Sequence, residues 1–149
     1  MEVDVVTRRI IRRPPKEVSA FAADPDRVPE WYVNIRSVEW RTERPLRVGA
    51  RLAFVARFLG RRLEYTYEVV DWVPGERFVM RTTEGPFPME TTYTWSQTPE
   101  GHTVMTLRNR GTPTGFSRLV APFMQAAMRR ATRRDLAQLA ARLERDAPS

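Results

Sequence analysis

Between Ile35 and Gly111 apolar and polar residues alternate with a period of two, and one long helical pattern follows. Six stretches carry the alternation: Ile35–Glu43, Arg51–Leu59, Arg62–Val73, Glu76–Thr83, Met89–Gln97 and Thr103–Arg110. Gly60-Arg61, Pro74-Gly75, Gly85-Pro86 and Pro99-Glu100-Gly101 separate the later ones. These separators are turn chemistry, too short for a crossover, so neighbouring strands form antiparallel hairpins. Gly60 suits a tight two-residue turn, and Pro74-Gly75 suits the central pair of a type II turn. A sheet this long cannot bury its apolar face against itself without curling. The one element large enough to cover it is the helix expected from about Phe116 to Arg145. Its apolar positions, Phe116, Leu119, Val120, Phe123, Met124 and Ala127, then Leu136, Leu139, Ala140 and Leu143, keep spacings of three and four. Arg129, Arg130, Arg133, Arg134 and Arg142 occupy the opposite face. Pro122 is expected to kink this helix or to start its second part.

The first third completes the order. Val3–Arg12 is rich in β-branched residues and reads as a strand that Pro14-Pro15 ends. Pro15 can open a helix running to about Ala23, and Asp24-Pro25 stops it. Asp24 or Asp26 can cap a second short helix through Trp31. The expected fold is α+β: a curved antiparallel sheet of about seven strands wrapped around a long C-terminal helix, with two short helices after the first strand. A sheet gripping one helix leaves a space between them. The 149 residues suit a single domain, 1–149.

Composition removes several functional classes. There is no cysteine, hence no disulfide, no thiol nucleophile and no Cys-based zinc site. The only histidine, His102, sits beside the Pro99-Glu100-Gly101 turn, so a Ser-His-Asp triad or multi-His metal centre has little to draw on. Neither a metal nor a cofactor is expected. The net charge of +7 comes from 24 arginines and one lysine, Lys16, against 18 acids. The arginines are scattered, which favours a solvated surface over a specific nucleic-acid site. No run of about 18 apolar residues is present, so stable membrane insertion is not expected. The start, Met1-Glu2-Val3-Asp4, lacks the regions of a signal peptide, and a cytoplasmic location is the expectation. Monomer and homodimer both remain open.

Several stretches resemble the SRPBCC superfamily, the START-like, helix-grip proteins that include birch-pollen-allergen-type domains and the polyketide cyclase/dehydrase group. They are Pro14-Pro15-Lys16-Glu17-Val18 leading to Phe21, Asp24-Pro25-Asp26-Arg27-Val28-Pro29-Glu30-Trp31, and Tyr67 to Arg77. Gly101 to Gly111 and the terminal helix with Arg134-Asp135-Leu136 complete the match over nearly the whole chain. The resemblance implies a birch-pollen-allergen-like helix-grip fold. It does not choose an activity, because carriers, cyclases, oxygenase domains and chaperone activators share that architecture.

Strand parity nominates the interior. Arg51–Leu59 points Leu52, Phe54, Ala56 and Phe58 inward, and Arg62–Val73 points Leu63, Tyr65, Tyr67, Val69, Asp71 and Val73. Met89–Gln97 adds Met89, Thr91, Tyr93 and Trp95, and Thr103–Arg110 adds Met105, Leu107 and Asn109. The helix brings Phe123, Met124, Ala127 and Met128. From these the expected ligand-binding set is Phe54, Phe58, Tyr65, Tyr67, Met89, Thr91, Tyr93, Trp95, Asn109, Phe123, Met124, Ala127 and Met128. Such a wall suits a small hydrophobic or aromatic molecule held without covalent chemistry by a carrier or sensor. The alternative is a cyclase, aromatase or dehydratase using a buried polar residue, with Asp71 and Asn109 as candidates. Trp31 and Tyr32 fall where the superfamily places one cavity mouth, and either gate it or pack.

Overall fold

The computed structural model describes residues 2–113 and 120–145. Seven strands form one antiparallel sheet: β1 (Val3–Ile11), β2 (Ile35–Trp40), β3 (Arg51–Phe58), β4 (Arg61–Val73), β5 (Arg77–Glu84), β6 (Met89–Gln97) and β7 (Thr103–Gly111). Their spatial order is β1-β7-β6-β5-β4-β3-β2. From β2 to β7 each strand therefore pairs with its sequence neighbour, as short turns require, and β1 closes on β7. Helix α1 (Pro15–Ala22), a 3-10 turn (Pro25–Arg27) and α2 (Val28–Trp31) link β1 to β2. Helix α3 (Ala121–Arg145) packs along β1 and α2. This is the helix-grip arrangement that the resemblance implies.

Local chemistry accounts for most boundaries. Pro15 occupies the first turn of α1, where its missing N–H costs nothing. The Asp24 carboxylate accepts a hydrogen bond from the Asp26 N–H and caps the 3-10 turn. The β3–β4 loop is Leu59-Gly60, with φ of +52° and +75°, the two positive values a type I′ turn needs. Gly75 has φ +81°, and the Glu76 N–H donates to the Val73 carbonyl at 3.0 Å, closing the expected turn. Pro122 is the second residue of α3, so it begins this helix rather than kinking it. Phe116 and Leu119 lie outside the described residues.

One irregularity overturns a parity assignment. Val69 pairs with Met80, but Asp71 pairs with Val79, so β4 holds an extra residue at this point. Such a bulge reverses the faces of everything after it. Trp72 consequently turns inward, with its ring 5.3 Å from Phe78 and 6.2 Å from Trp95. Asp71 turns outward to an ion pair with Arg77.

The outer face of the sheet carries alternating charge. Asp4, Arg110, Glu90, Arg81, Glu68 and Arg51 are successive cross-strand partners on β1, β7, β6, β5, β4 and β3. Glu90 accepts from Arg81 at 2.9 Å and from Arg110 at 2.8 Å. Arg108 reaches diagonally to Asp4 at 2.6 Å. Opposite charges in neighbouring positions favour this register and absorb much of the arginine excess.

Helix α3 divides into two halves by what it touches. Leu136, Leu139, Ala140 and Leu143 are buried in a solid core with Val18, Ala22, Trp31, Met105 and Leu107. The earlier half, from Met124 to Asp135, faces open space. No helix among the described residues is long and apolar enough to cross a membrane.

Candidate functional site

That space is a cavity of about 120 Å³ between the concave sheet face and the first half of α3. It is roughly ten times the room one water needs. Strand β3 supplies Phe54, Ala56 and Phe58, β4 supplies Leu63, Tyr65 and Tyr67, and β6 supplies Met89, Thr91 and Tyr93. Met80, Phe87 and Asn109 come from β5, the β5–β6 loop and β7. Val28, Tyr32, Asn34 and Ile35 close one side, and Met124, Met128, Ala131, Thr132 and Asp135 form the helical wall. The lining is mostly apolar, yet it contains all four tyrosines of the chain.

A hydrogen-bonded seam runs through it. The Thr91 hydroxyl donates to Asn109 Oδ1 at 2.7 Å, and Asn109 Nδ2 donates to the Tyr32 hydroxyl oxygen at 2.9 Å. Both Asn109 polar groups thus have a partner, and the residue is an orienting link. Burial pushes the Tyr67 phenol up to about 12, although its hydrogen bond with Thr91 works the other way. Burial likewise raises Tyr32, Tyr65 and Tyr93, so all four phenols are neutral donors at physiological pH.

Asp135 differs from every other polar group in the cavity. It is fully buried. Its Oδ1 accepts from the Val33 N–H at 2.9 Å, while its Oδ2 is buried with no hydrogen-bond partner among the described residues. Burial raises its pKa to about 7, against the lowering effects of the Val33 N–H and the Arg134 charge. Arg134 itself lies outside and donates to Asn34 Oδ1 at 3.2 Å. A carboxyl that titrates near neutrality can give or take a proton. Among the described residues no three acidic, histidine or cysteine side chains come together in a way that could hold a metal ion.

The structure places most of the nominated residues on this lining. Phe54, Phe58, Tyr65, Tyr67, Met89, Thr91, Tyr93, Asn109, Met124 and Met128 line it. Three others do not. Phe123 is 74% exposed, because it stands about 100° around the helix from Met124, off the stripe that faces the sheet. Ala127 is only half-buried and lies beside that stripe. Trp95 is buried beyond Tyr93, in edge contact with Tyr93 and Trp72, and fills core. Asp71 is outside altogether, for the reason given by the bulge. Trp31 is fully buried and packs at 5.8 Å from Tyr93, so it is core, whereas its neighbour Tyr32 reaches the cavity. Asp135, Asn34, Thr132 and Phe87 are lining residues that strand parity and helical hydrophobicity do not nominate. A signal for Asp135 exists, since it falls on the apolar helical stripe seven residues after Met128 and four before Leu139.

Residues 2–144 match a family model described as polyketide cyclase / dehydrase and lipid transport. A search of the curated proteins finds none that matches. Solved structures with the same fold include a protein of Thermus thermophilus, with TM-score 0.82 and 22% identity over 97% of this chain and 99% of that one. The Zhui aromatase/cyclase of a Streptomyces species superposes with TM-score 0.82 at 15% identity, covering 100% and 98%. A START superfamily protein of Mycobacterium smegmatis gives 0.81 at 12%, covering 97% and 99%. At these identities the likeness is one of fold.

Proposed function

From the premise that the chain belongs to the polyketide cyclase / dehydrase and lipid transport family, within the START-like SRPBCC superfamily, we propose a cytoplasmic carrier or sensor that encloses a small hydrophobic or aromatic molecule without covalent chemistry. The observation that carries this reading is the apolar cavity between sheet and α3, with the hydrogen-bonded Tyr32–Asn109–Thr91 seam and Asp135 among its polar groups. Aromatic and methionine walls supply contact area and adaptable packing, and the few polar groups orient the guest. Native mass spectrometry of gently purified protein tests it. A co-purifying small molecule, released by Phe54→Ala, is the expected result. A ligand-free protein that also fails to bind added naphthalene-sized aromatics refutes it.

A second reading is favoured by one observation, the buried Asp135 carboxyl with its pKa near 7. Loss of water from a β-hydroxy ketone needs a proton taken from the carbon beside the carbonyl and a proton given to the departing hydroxyl. One carboxyl poised near neutrality can do both in turn. The fold likeness to an aromatase/cyclase supports that chemical class by analogy only. Asp135→Asn separates the readings. It leaves a carrier's affinity for a guest without polar groups nearly intact and abolishes turnover in an enzyme.

A further inference from the structure

We propose that the cavity selects guests by charge and by hydrogen-bond sense: it takes an aromatic or alicyclic molecule bearing a hydroxyl or protonated amine, which donates to Asp135 Oδ2, and it rejects carboxylates. This inference rests on the cavity being a ligand site, the reading proposed above.

The argument is an inventory of unspent polar atoms. Asn109 uses both ends of its amide on Thr91 and Tyr32. The Thr132 hydroxyl is spent on the Met128 and Arg129 carbonyls of its own helix. Asp135 Oδ2 is an acceptor, buried and unpartnered. Tyr32 receives the Asn109 amide on its oxygen, which leaves its own O–H to donate; Tyr67 bonds Thr91, and the neutral Tyr65 and Tyr93 phenols add further donors to the wall. A guest hydroxyl meets both needs, because it donates to one partner and accepts from the other. A protonated amine meets the first and brings a countercharge.

Charge points the same way. Among the described residues lining the cavity there is no lysine, arginine or histidine. The groups that face Asp135 are Tyr32 from the segment after α2 and Tyr93 from β6, both neutral, with Arg134 on α3 held at Asn34 on the outside. An entering carboxylate would be desolvated beside another acid with no cation in the wall, which is costly. The raised pKa of Asp135 adds a pH dependence: ionisation above neutrality strengthens the hold on an amine and the rejection of an acid.

Three naphthalene probes differing in one group test this by titration calorimetry on the full chain: naphthol, naphthylmethylamine and naphthoate, with naphthalene as reference. At about pH 8 the amine and the naphthol are expected to bind tenfold or more tighter than naphthoate. Lowering the pH to about 5 should weaken the amine and strengthen the acid. Asp135→Asn should close the gap between amine and acid while naphthalene affinity holds. Naphthoate binding as tightly as the amine overturns the inference, as does an unchanged order in Asp135→Asn. The wild-type series decides the first point even if the variant misfolds. If naphthalene binds and the substituents make no difference, only the selectivity falls. If no probe binds at all, the cavity reading falls and takes the selectivity with it.

Discussion

Replacing Asp135 with asparagine should stabilise the protein at neutral and alkaline pH, with the gain gone near about pH 4.5. The carboxyl has an ordinary pKa of 3.8 in the unfolded chain and about 7 when folded, chiefly because burial disfavours its charged form. Below about pH 4 both states hold the proton, and the side chain carries no ionisation cost. Between about pH 4 and 7 the unfolded chain releases its proton while the folded protein keeps it. Stability then falls with rising pH by about 1.4 kcal/mol per unit. Above neutrality the accumulated cost is about 4 kcal/mol, a large share of the ~5–15 kcal/mol that holds a domain together. Asparagine keeps an oxygen for the Val33 N–H and cannot ionise. Its amide is less well matched than a protonated carboxyl, so the expected net gain is about 2–3 kcal/mol at about pH 8. With a urea slope of roughly 2 kcal/mol per molar, the unfolding midpoint should rise by about 1–1.5 M. At about pH 4.5 the wild-type and variant midpoints should nearly coincide. A variant equally destabilised at both pH values would refute the reasoning, since it would mean that Asp135 acts through packing alone.

Four other substitutions probe separate parts of the structure. Phe123→Ala should change stability by less than about 0.5 kcal/mol, because the ring is at the surface; a loss of ~3–5 kcal/mol in an unfolding titration would place it in the core. Gly75→Val should cost about 1–3 kcal/mol, since φ +81° is barely open to a β-branched residue, and a wild-type midpoint would contradict that turn. Gly85→Ala puts a Cβ 2.6 Å from Tyr65 Cδ1, so this lining ring must shift, and binding of naphthalene-sized guests should change in calorimetry; an unchanged affinity would contradict the contact. Glu90 is pushed up by burial, but its hydrogen bonds from Arg81 and Arg110 hold it net below the usual range. Its contribution is therefore present at neutral pH and lost as pH falls through that lowered value. Glu90→Gln should cost about 1 kcal/mol at neutral pH, less in high salt, and nothing once Glu90 is protonated; a pH-independent cost would exclude the ion pairs as its source.

Where local rules act without competition, residue pattern and structure agree. Alternation in β3 and β6 puts Phe54, Phe58, Thr91 and Tyr93 on the concave face, because a one-residue slip there would expose the whole apolar set. The Pro74-Gly75 turn follows from a proline-fixed φ and a glycine-permitted one. Parity fails in β4 because it assumes an unbroken ladder, and the bulge after Val69 inserts one residue that no period-two pattern reveals. Asp71 reads as internal for that reason alone. On α3 the difficulty is different. Phe123 and Met124 are adjacent and both apolar, and spacing alone does not say which faces the sheet; the residues that decide it, Met128, Ala131 and Asp135, include a charged one. Ranking by hydrophobicity selects Phe123 and passes over Asp135, the opposite of where the chain puts them. A carboxylate on an apolar stripe costs folding energy, and the unpartnered Oδ2 shows that this cost is not recovered within the protein's own hydrogen bonds. The rest of the fold carries that cost when the cavity is empty, and a proton below neutrality or a guest's donor above it relieves it. The same residue that weakens the empty fold is therefore the one through which occupancy of the cavity can be read as added stability, and the two should rise together with pH.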